Sequence, residues 1–369
     1  MKILKNTLNF YPINLTIFLH RIKRLYVVHC TLCFVLFNIP TFAGNPDRQG
    51  EAGAYELTIN PWARAAALHG MHTSLVSGVE AMWQNPAGLS RLNSTEVMFG
   101  HMQYLKGSDI SFNALGFAQK MGKSGAFGIT LTAMDLGDIQ VTTTGLPEGT
   151  GATYSPSFFN LGLSYAYTFD NKVSVGILAR AISETTTDVS AFGLAFDAGV
   201  QYVNGPEDNF KFGIALRNIG SPMQFSGEGL SFNTANPGGT SPYNLTFDKR
   251  AAGFELPSML NIGTSYDINL DKKNRLTILA NFTSNSFSSD EIGGGIEYAF
   301  NKIFYLRGAY KYQMSNNILE KNVYTGLAAG FGFEVPFKKG NDQKLGIDYG
   351  YRATQPWNGS HNLSIKIAL

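Results

Sequence analysis

Residues 192–203, with the sequence FGLAFDAGVQYV, alternate large apolar side chains with small or polar ones. Phe192 and Leu194 fall on one face of such a segment and Gly193 and Asp197 on the other, because successive side chains of a β-strand point to opposite sides. The stretch therefore predicts a β-strand with one apolar face and one face of small and polar residues.

The same alternation recurs in fourteen segments, each roughly 9–13 residues long and so able to cross a bilayer at a tilt. These segments are 95–104, 109–119, 124–134, 158–169, 172–184, 190–203, 209–217, 258–268, 275–283, 290–300, 303–313, 323–335, 344–352 and 361–369. When the connections between these segments are numbered along the chain, the even-numbered ones are short. The two long ones, 135–157 and 218–257, are odd-numbered and so lie at one end of the barrel. Short turns at one end and long outer loops at the other are typical of bacterial barrels. The pattern predicts an all-β fold, a 14-stranded antiparallel transmembrane β-barrel over residues 94–369.

The composition fits such a barrel better than a soluble domain. The 369 residues include 40 Gly, 27 Phe and 17 Tyr. Charged residues make up 15% of the chain, which is below the roughly 25% usual for soluble domains. After the N-terminal region no run of about 18 apolar residues occurs, which excludes helical membrane spans. A soluble β-rich periplasmic or surface protein remains the alternative.

The N-terminus has the features of a signal peptide, which we place at residues 1–43. Basic residues precede an apolar run, and Thr41 and Ala43 provide the small side chains of a cleavage site after Ala43. An uncleaved anchor is the alternative. Both cysteines, Cys30 and Cys33, lie in this segment, and its removal leaves 24 basic against 27 acidic residues. This balance provides no basic patch for a nucleic acid.

Residues 44–93 follow the predicted leader and do not alternate. Their run of small side chains at 63–67 favours compact packing of short helices. We predict that this segment forms a small N-terminal hatch, or plug, in the mouth of the barrel. A periplasmic extension outside the barrel is the alternative.

No catalytic constellation stands out in the sequence. His69 and His72 have the spacing of metal ligands, but no acidic or cysteine partner lies close in sequence. No serine has the context of a nucleophile elbow, and the glycines at 125 and 128 belong to a predicted strand rather than to a phosphate-binding loop. We therefore predict a protein that is not an enzyme and that uses neither a metal nor another cofactor.

Charged residues on the small-residue faces of the strands are predicted to face the lumen, because an unpaired charge in lipid costs several kcal/mol. The main ones are Arg180, Asp197, Arg217, Asp267, Glu297, Arg307, Glu334, Asp348 and Arg352. Since both signs occur, two interpretations are open. The charges either pair within a filled interior or line a functional polar path.

The loop at 218–257 is the longest connection and a candidate for partner binding, because loops of this length are often functional. Its apolar residues include Met223, Phe225, Leu230, Phe232, Tyr243 and Phe247. At this density they indicate a surface to pack on, which is the barrel rim, a partner or a lipid-like ligand. A self-packed lid is the alternative.

A short motif just before the first predicted strand resembles that of a known family. Residues 83–89, WQNPAGL, resemble the Asn-Pro-Ala hatch motif of the FadL-like (OMPP1/FadL/TodX) outer-membrane barrels, which combine a hatch with fourteen strands. The residues that carry the motif are Asn85, Pro86, Ala87, Gly88 and Leu89. Further stretches are similar to the PorV/PorQ branch: RQGEAGAYEL at 48–57, INPWAR at 59–64, LKGSDIS at 105–111, FSGEGLSF at 225–232 and DYGYRAT at 348–354.

The resemblance implies a multi-pass β-barrel of the outer membrane, surrounded by its lipid, with a role in type IX protein secretion. PorV-like barrels associate with the large translocon barrel, bind secreted cargo that carries a C-terminal signal domain, and pass this cargo on for surface attachment. The alternative implied by the FadL branch is a transporter of hydrophobic compounds such as long-chain fatty acids.

Overall fold

The computed structural model describes residues 45–170, 172–235, 243–315, 322–337 and 343–369. The predicted signal peptide and its cleavage site lie outside these ranges. In the part of the chain that is described, no helix is both long enough and apolar enough to cross a membrane.

Fourteen antiparallel strands form one closed barrel in which each strand pairs with its neighbours along the chain. These strands, β1 to β14, are Thr95–Tyr104, Ile110–Met121, Gly125–Asp135, Ser157–Phe169, Val173–Thr186, Val189–Asn204, Phe210–Gly220, Met259–Asn269, Arg275–Asn285, Glu291–Phe300, Phe304–Gln313, Tyr324–Pro336, Lys344–Thr354 and Ser360–Ala368. The last strand closes the barrel on the first, with Val97 opposite Ile367 and Phe99 opposite Ile365. The predicted fold class is confirmed.

The predicted strand ends lie within three residues of the observed ends. The largest difference is at the end of β7, which was expected at Arg217 and lies at Gly220. Here Arg217 and Asn218 are both buried, so the strict alternation stops. A β-bulge, in which two residues face one residue of the partner strand, accounts for the extra residue.

The two faces of the strands differ as the alternation predicts. In β6 the exposed fractions of Phe192, Leu194 and Phe196 are 66%, 48% and 57%, whereas Ala195 and Asp197 are 0% and 2% exposed. The apolar side chains therefore point outward all round the barrel, where lipid replaces water in an outer membrane.

The hatch consists of short helical segments packed inside the lumen. They are the 3₁₀ helices Pro46–Arg48, Tyr55–Thr58, Gly78–Glu80 and Pro86–Arg91 and the α-helices Ala63–Ala67 (α1) and Ala81–Gln84 (α2). Trp62, Leu57 and Leu89 are completely buried among them. The segment therefore lies within the barrel and is not an extension beside it.

Glycines on the inner face of the wall let the hatch approach closely. At each of them a Cβ atom would lie within 3.0 Å of a hatch atom. These positions are Gly100, Gly116, Gly128, Gly176, Gly199, Gly213, Gly293, Gly330 and Gly350. The small-residue faces of the strands are thus the surface on which the hatch is docked.

The two long connections lie at the same end of the barrel and carry short hairpins of their own. The first contains Ile139–Gln140 paired with Thr153–Tyr154. The second contains Met223–Gln224 paired with Gly253–Phe254, and Ser231–Ala235 paired with Asn244–Asp248. We call Ser231–Ala235 and Asn244–Asp248 the outer hairpin.

Candidate functional site: the lumen and the β6–β7 wall

The hatch motif fixes the hatch to the wall. Asn85 caps the 3₁₀ helix Pro86–Arg91, because its side-chain oxygen accepts a hydrogen bond of 3.2 Å from the backbone N–H of Ala87. The side-chain nitrogen of Asn85 donates to the carbonyl oxygens of Thr73, at 3.0 Å, and Val200, at 3.2 Å. A single amide thus joins two parts of the hatch and strand β6.

The other motif residues are buried in the same contact. Pro86, Ala87, Gly88 and Leu89 have no appreciable exposure. A Cβ atom on Gly88 would lie 2.1 Å from the carbonyl oxygen of Val76, so a larger residue does not fit there. The motif therefore serves as a packing and docking element in this arrangement.

Three of the predicted lumenal charges, Glu297, Arg307 and Asp348, belong to one network of ion pairs centred on Glu297. The Glu297 carboxylate forms ion pairs with Arg64 of the hatch at 3.0 Å, with Arg307 at 2.8 Å and with Arg275 at 3.3 Å. Arg307 also pairs with Asp348. One network of opposite charges thereby links the hatch to strands β9, β10, β11 and β13.

Two smaller groups of charges lie in the same lumen. Glu334 pairs with Lys366 at 2.6 Å and with Lys344 at 3.7 Å. Asp267 pairs with Lys211 and accepts a hydrogen bond of 2.6 Å from the hydroxyl of Thr277. In both groups charges of opposite sign are paired.

Arg180 and Asp197 form a separate buried pair, 3.1 Å apart, beside the hatch. The guanidinium of Arg180 also lies over the ring of Trp83, 4.2 Å from its centroid, in cation–π geometry. Arg217 and Arg352, by contrast, have no carboxylate within 4.0 Å among the residues that the structure describes.

Three ionisable side chains of the hatch are strongly perturbed by burial. Burial, reinforced by the nearby Glu184, raises the pKa of Glu56 to about 8. Burial also raises the pKa of Glu80 to about 7, even though Arg64 lies 3.9 Å away. The pKa of His72 falls to about 3, again because of burial, so this imidazole is neutral.

The wall between β6 and β7 is interrupted at the bulge. Phe196 pairs with Ile219 and Ala198 pairs with Leu216, so Asp197 alone faces two residues of β7. The backbone N–H of Asn218 donates to the Asp197 carboxylate at 2.6 Å instead of joining the ladder. Asn218 has a positive φ of 59°, which is less unfavourable for asparagine than for most residues. Side chains, and not ladder bonds, close the wall here.

An apolar groove lies on the outside of the barrel at this bulge. It extends across β3 to β7 and has a volume of about 630 Å³. Its lining includes Phe196, Asp197, Ala198, Leu216 and Ile219 around the bulge, together with outward residues such as Leu163 and Ile177. Because Asp197 also belongs to the lumenal pair, the groove and the lumen are separated by the bulged wall alone.

The residues predicted in the long loop separate into two groups. Met223 is 1% exposed in a cluster with Leu57 and Ile182, and Phe225 packs against that cluster. Met223 is therefore not accessible to a partner, because it anchors the base of the loop to the hatch and the wall. Phe232 and Phe247 are exposed and stack across the outer hairpin, with ring centroids 5.9 Å apart.

Two further loop residues belong to the outer group. Leu230 is half-buried at the start of the outer hairpin, and Tyr243, just before its second strand, is 52% exposed. The apolar part of the loop that a partner could reach is therefore the outer hairpin and its flanks.

The bulge and the hatch charges were not identified from the sequence. Arg64 and Glu80 were overlooked because the hatch has no periodicity that assigns a side chain to a face. The bulge has one local signal, since Arg217 and Asn218 place two polar residues in succession within a strand.

Solved structures with the same architecture are outer-membrane channels. The toluene transporter TodX of Pseudomonas putida is 14% identical, with a TM-score of 0.54 over 84% of this chain and 97% of its own. The toluene transporter TbuX of Ralstonia pickettii is 15% identical, with a TM-score of 0.53 over 84% and 97%. A FadL homologue of Pseudomonas aeruginosa is 12% identical, with a TM-score of 0.50 over 83% and 98%.

The fold is that of the FadL-like outer-membrane channels. At these identities the likeness concerns the fold alone. No protein-family model and no curated protein matches the sequence. The architecture supports placement in the outer membrane as a multi-pass β-barrel. The PorV/PorQ resemblance, and with it the secretion role, finds no support among these neighbours.

Proposed function

We propose that this protein is an outer-membrane channel through which small hydrophobic compounds pass sideways, between the lumen and the bilayer, at the β6–β7 bulge. The observation that carries the proposal is the apolar groove on the outer wall, which has the interrupted ladder at one edge. Two of the solved proteins with this fold, TodX and TbuX, are toluene transporters, which is in keeping with a hydrophobic substrate.

The physical argument rests on how the wall is closed. An intact ladder resists opening because every backbone group in lipid must be paired. At the bulge the Asp197 carboxylate accepts a hydrogen bond from the N–H of Asn218 across the wall and is held by Arg180 of β5. Two residue pairs of the β6–β7 ladder, Phe196 with Ile219 and Ala195 with Gly220, lie beyond the bulge toward the loop end. A rearrangement of Asp197 therefore frees a short end of the ladder, and the apolar groove receives the compound on the lipid side.

The test is a reversible disulfide bridge between β6 and β7 at the bulge. Phe196→Cys with Ile219→Cys places two thiols on paired residues that flank it. The predicted mature chain has no cysteine of its own, so the bridge is specific. We expect oxidation to abolish uptake of labelled toluene by cells that display the protein, and reduction to restore it. Unchanged uptake with a formed bridge would contradict the proposal.

A matched control lies on the same two strands. Val200 pairs with Ile214 in the regular part of the ladder, and both side chains point outward. A cystine at Val200→Cys and Ile214→Cys adds the same covalent link to the same strands, away from the bulge. Uptake should be insensitive to its oxidation, which separates closure of the bulge from general stiffening of the barrel.

The second candidate is the secretion role that the PorV/PorQ resemblance implies, in which the barrel binds the translocon barrel and cargo signal domains. The outer hairpin favours it, because Phe232, Leu245 and Phe247 expose apolar surface on a loop that projects from the rim. Deletion of residues 225–247 in a correctly inserted barrel should then abolish capture of the translocon and secretion of cargo. Unaltered secretion would exclude this loop as the binding site.

A further inference from the structure

A second cavity, distinct from the lipid-facing groove, lies inside the lumen at the end that carries the long connections. Its volume is about 430 Å³, within the range of small-molecule sites. The cavity is bounded by the hatch on one side and by strand ends on the other, including Tyr104, Asn285 and Gln313. Its walls are largely amide, hydroxyl and guanidinium groups, unlike the outer groove.

Two buried arginines of this cavity have no carboxylate within 4.0 Å among the described residues. Arg217 is 3% exposed and donates to the Leu57 carbonyl oxygen at 3.1 Å. Arg352 is 6% exposed, and its guanidinium carbon lies 4.6 Å from the centroid of the Tyr324 ring. The acid across the bulge from Arg217 is Asp197, whose carboxylate is already engaged by Arg180 and the N–H of Asn218.

The remaining charges of the cavity do not neutralise these two. Lys311 is paired with Glu291 at 2.9 Å. Elsewhere in the described lumen, the arginines at 64, 180, 275 and 307 all have carboxylates within 4.0 Å. An unpaired buried cation is costly, so it is unusual that no carboxylate of the described ranges lies beside Arg217 or Arg352.

The polar atoms of the cavity that lack a hydrogen-bond partner are mainly donors. Among the described residues they are the Nε atoms of Arg217 and Arg352, the side-chain nitrogen of Asn261, the hydroxyl of Tyr324 and Nε2 of His69. The amide of Asn261 is oriented by Thr283, whose hydroxyl donates to its oxygen at 2.8 Å. A ligand that satisfies these groups must be rich in acceptors, and guanidinium groups favour carboxylates in particular.

We propose that this cavity binds a small polar organic acid that carries at least two carboxylates. Arg217 is on β7 and Arg352 on β13, six strands apart around the wall. Each arginine takes one carboxylate of a ligand that spans the cavity, and Asn261 and Tyr324 donate to its remaining oxygens. The site differs from the proposed lateral path in its polar lining and in its position at the loop end, and it shares Arg217 with the bulge.

The test is calorimetric titration of the purified full-length mature barrel in detergent, with citrate as the probe and acetate as the single-carboxylate comparison. We expect saturable binding of citrate and at least tenfold weaker binding of acetate. Arg217→Gln and Arg352→Gln should each weaken citrate binding about tenfold or more, the effect of losing one charge-assisted contact. Heat-modifiable gel mobility verifies that each variant is folded.

Two controls make the outcome decisive. Arg91→Gln also removes one positive charge, but Arg91 bonds to the Lys172 carbonyl oxygen at the opposite end of the hatch, so citrate binding should be unchanged. Arg352→Lys keeps the charge and serves if the glutamine variant does not fold; it should bind citrate with intermediate affinity. No citrate binding by the native barrel, or equal binding by the Arg91 and arginine-site variants, would overturn the proposal. Neither result bears on toluene uptake.

Discussion

Replacement of Gly199 by alanine tests whether the hatch is held by close contact with the wall. The new Cβ atom would lie 2.0 Å from the side-chain oxygen of Asn85 and 3.1 Å from Cδ of Pro86. The Asn85 amide must then leave its position and give up its bonds to Ala87, Thr73 and Val200.

The cost follows from the three lost hydrogen bonds, each worth about 1 kcal/mol when its partner stays buried. Strain from the added methyl group contributes about 1–3 kcal/mol more. Undocking of the hatch should therefore become easier by at least about 3 kcal/mol, which raises the undocked population more than about a hundredfold.

Trypsin cleavage after Arg64 measures that population, because Arg64 is enclosed in the lumen while the hatch is docked. Mass spectrometry of the fragment separates this cut from cuts in exposed loops. The rate should follow the undocked population when redocking is fast. We expect the Gly199→Ala barrel to be cut at least about a hundred times faster than the native one.

Gly308→Ala is the matched control, since Gly308 is also in a barrel strand but a Cβ atom there meets nothing within 4 Å. The cleavage rate of the Gly308→Ala barrel should equal that of the native barrel or fall slightly, because alanine lowers the conformational entropy of the unfolded chain. If Gly199→Ala and Gly308→Ala are cut at the same rate, the close-contact explanation of hatch docking is wrong.

Three further predictions concern charge and packing. Glu56 has a raised pKa, so the stability that it contributes is complete below the ordinary carboxyl pKa and is lost as the pH rises through about 8. Cleavage of the hatch by trypsin should therefore accelerate as the pH rises over that interval. Glu56→Gln should make the cleavage rate less dependent on pH. Arg307→Gln removes the ion-pair partner of the buried Asp348 carboxylate and one of the three arginines around Glu297. It should lower the unfolding free energy by about 3–5 kcal/mol, measured by urea titration in detergent. Lys344→Gln, at a half-exposed pair, should change the unfolding free energy by less than about 1 kcal/mol. In the same titration Met223→Ala should lower the unfolding free energy by about 2–5 kcal/mol, because it truncates a buried side chain. Phe232→Ala on the outer hairpin should change the unfolding free energy by no more than about 0.5 kcal/mol. Equal losses would contradict the assignment of Met223 to the core and of Phe232 to the surface.

The order and extent of the strands could be predicted because apolar and small or polar residues alternate along the sequence with a period of two. Phe192 to Tyr202 alternate without interruption, and a shift of one residue would turn every apolar side chain into the lumen. The strand end with the largest error is the one predicted at Arg217, where the period breaks and the bulge depends on the carboxylate of Asp197 from the neighbouring strand.

The sequence by itself thus determined the barrel, the number of its strands and which side chains face inward, since each follows from local alternation. Only the tertiary structure decided which inward charges meet. Arg307 reaches Glu297 and Asp348, whereas Arg217 and Arg352, with the same residue type and the same predicted face, meet no carboxylate among the residues described. Pairing across a lumen depends on strand register, on the bulge and on where a non-periodic hatch comes to rest, and none of these is encoded in a local pattern.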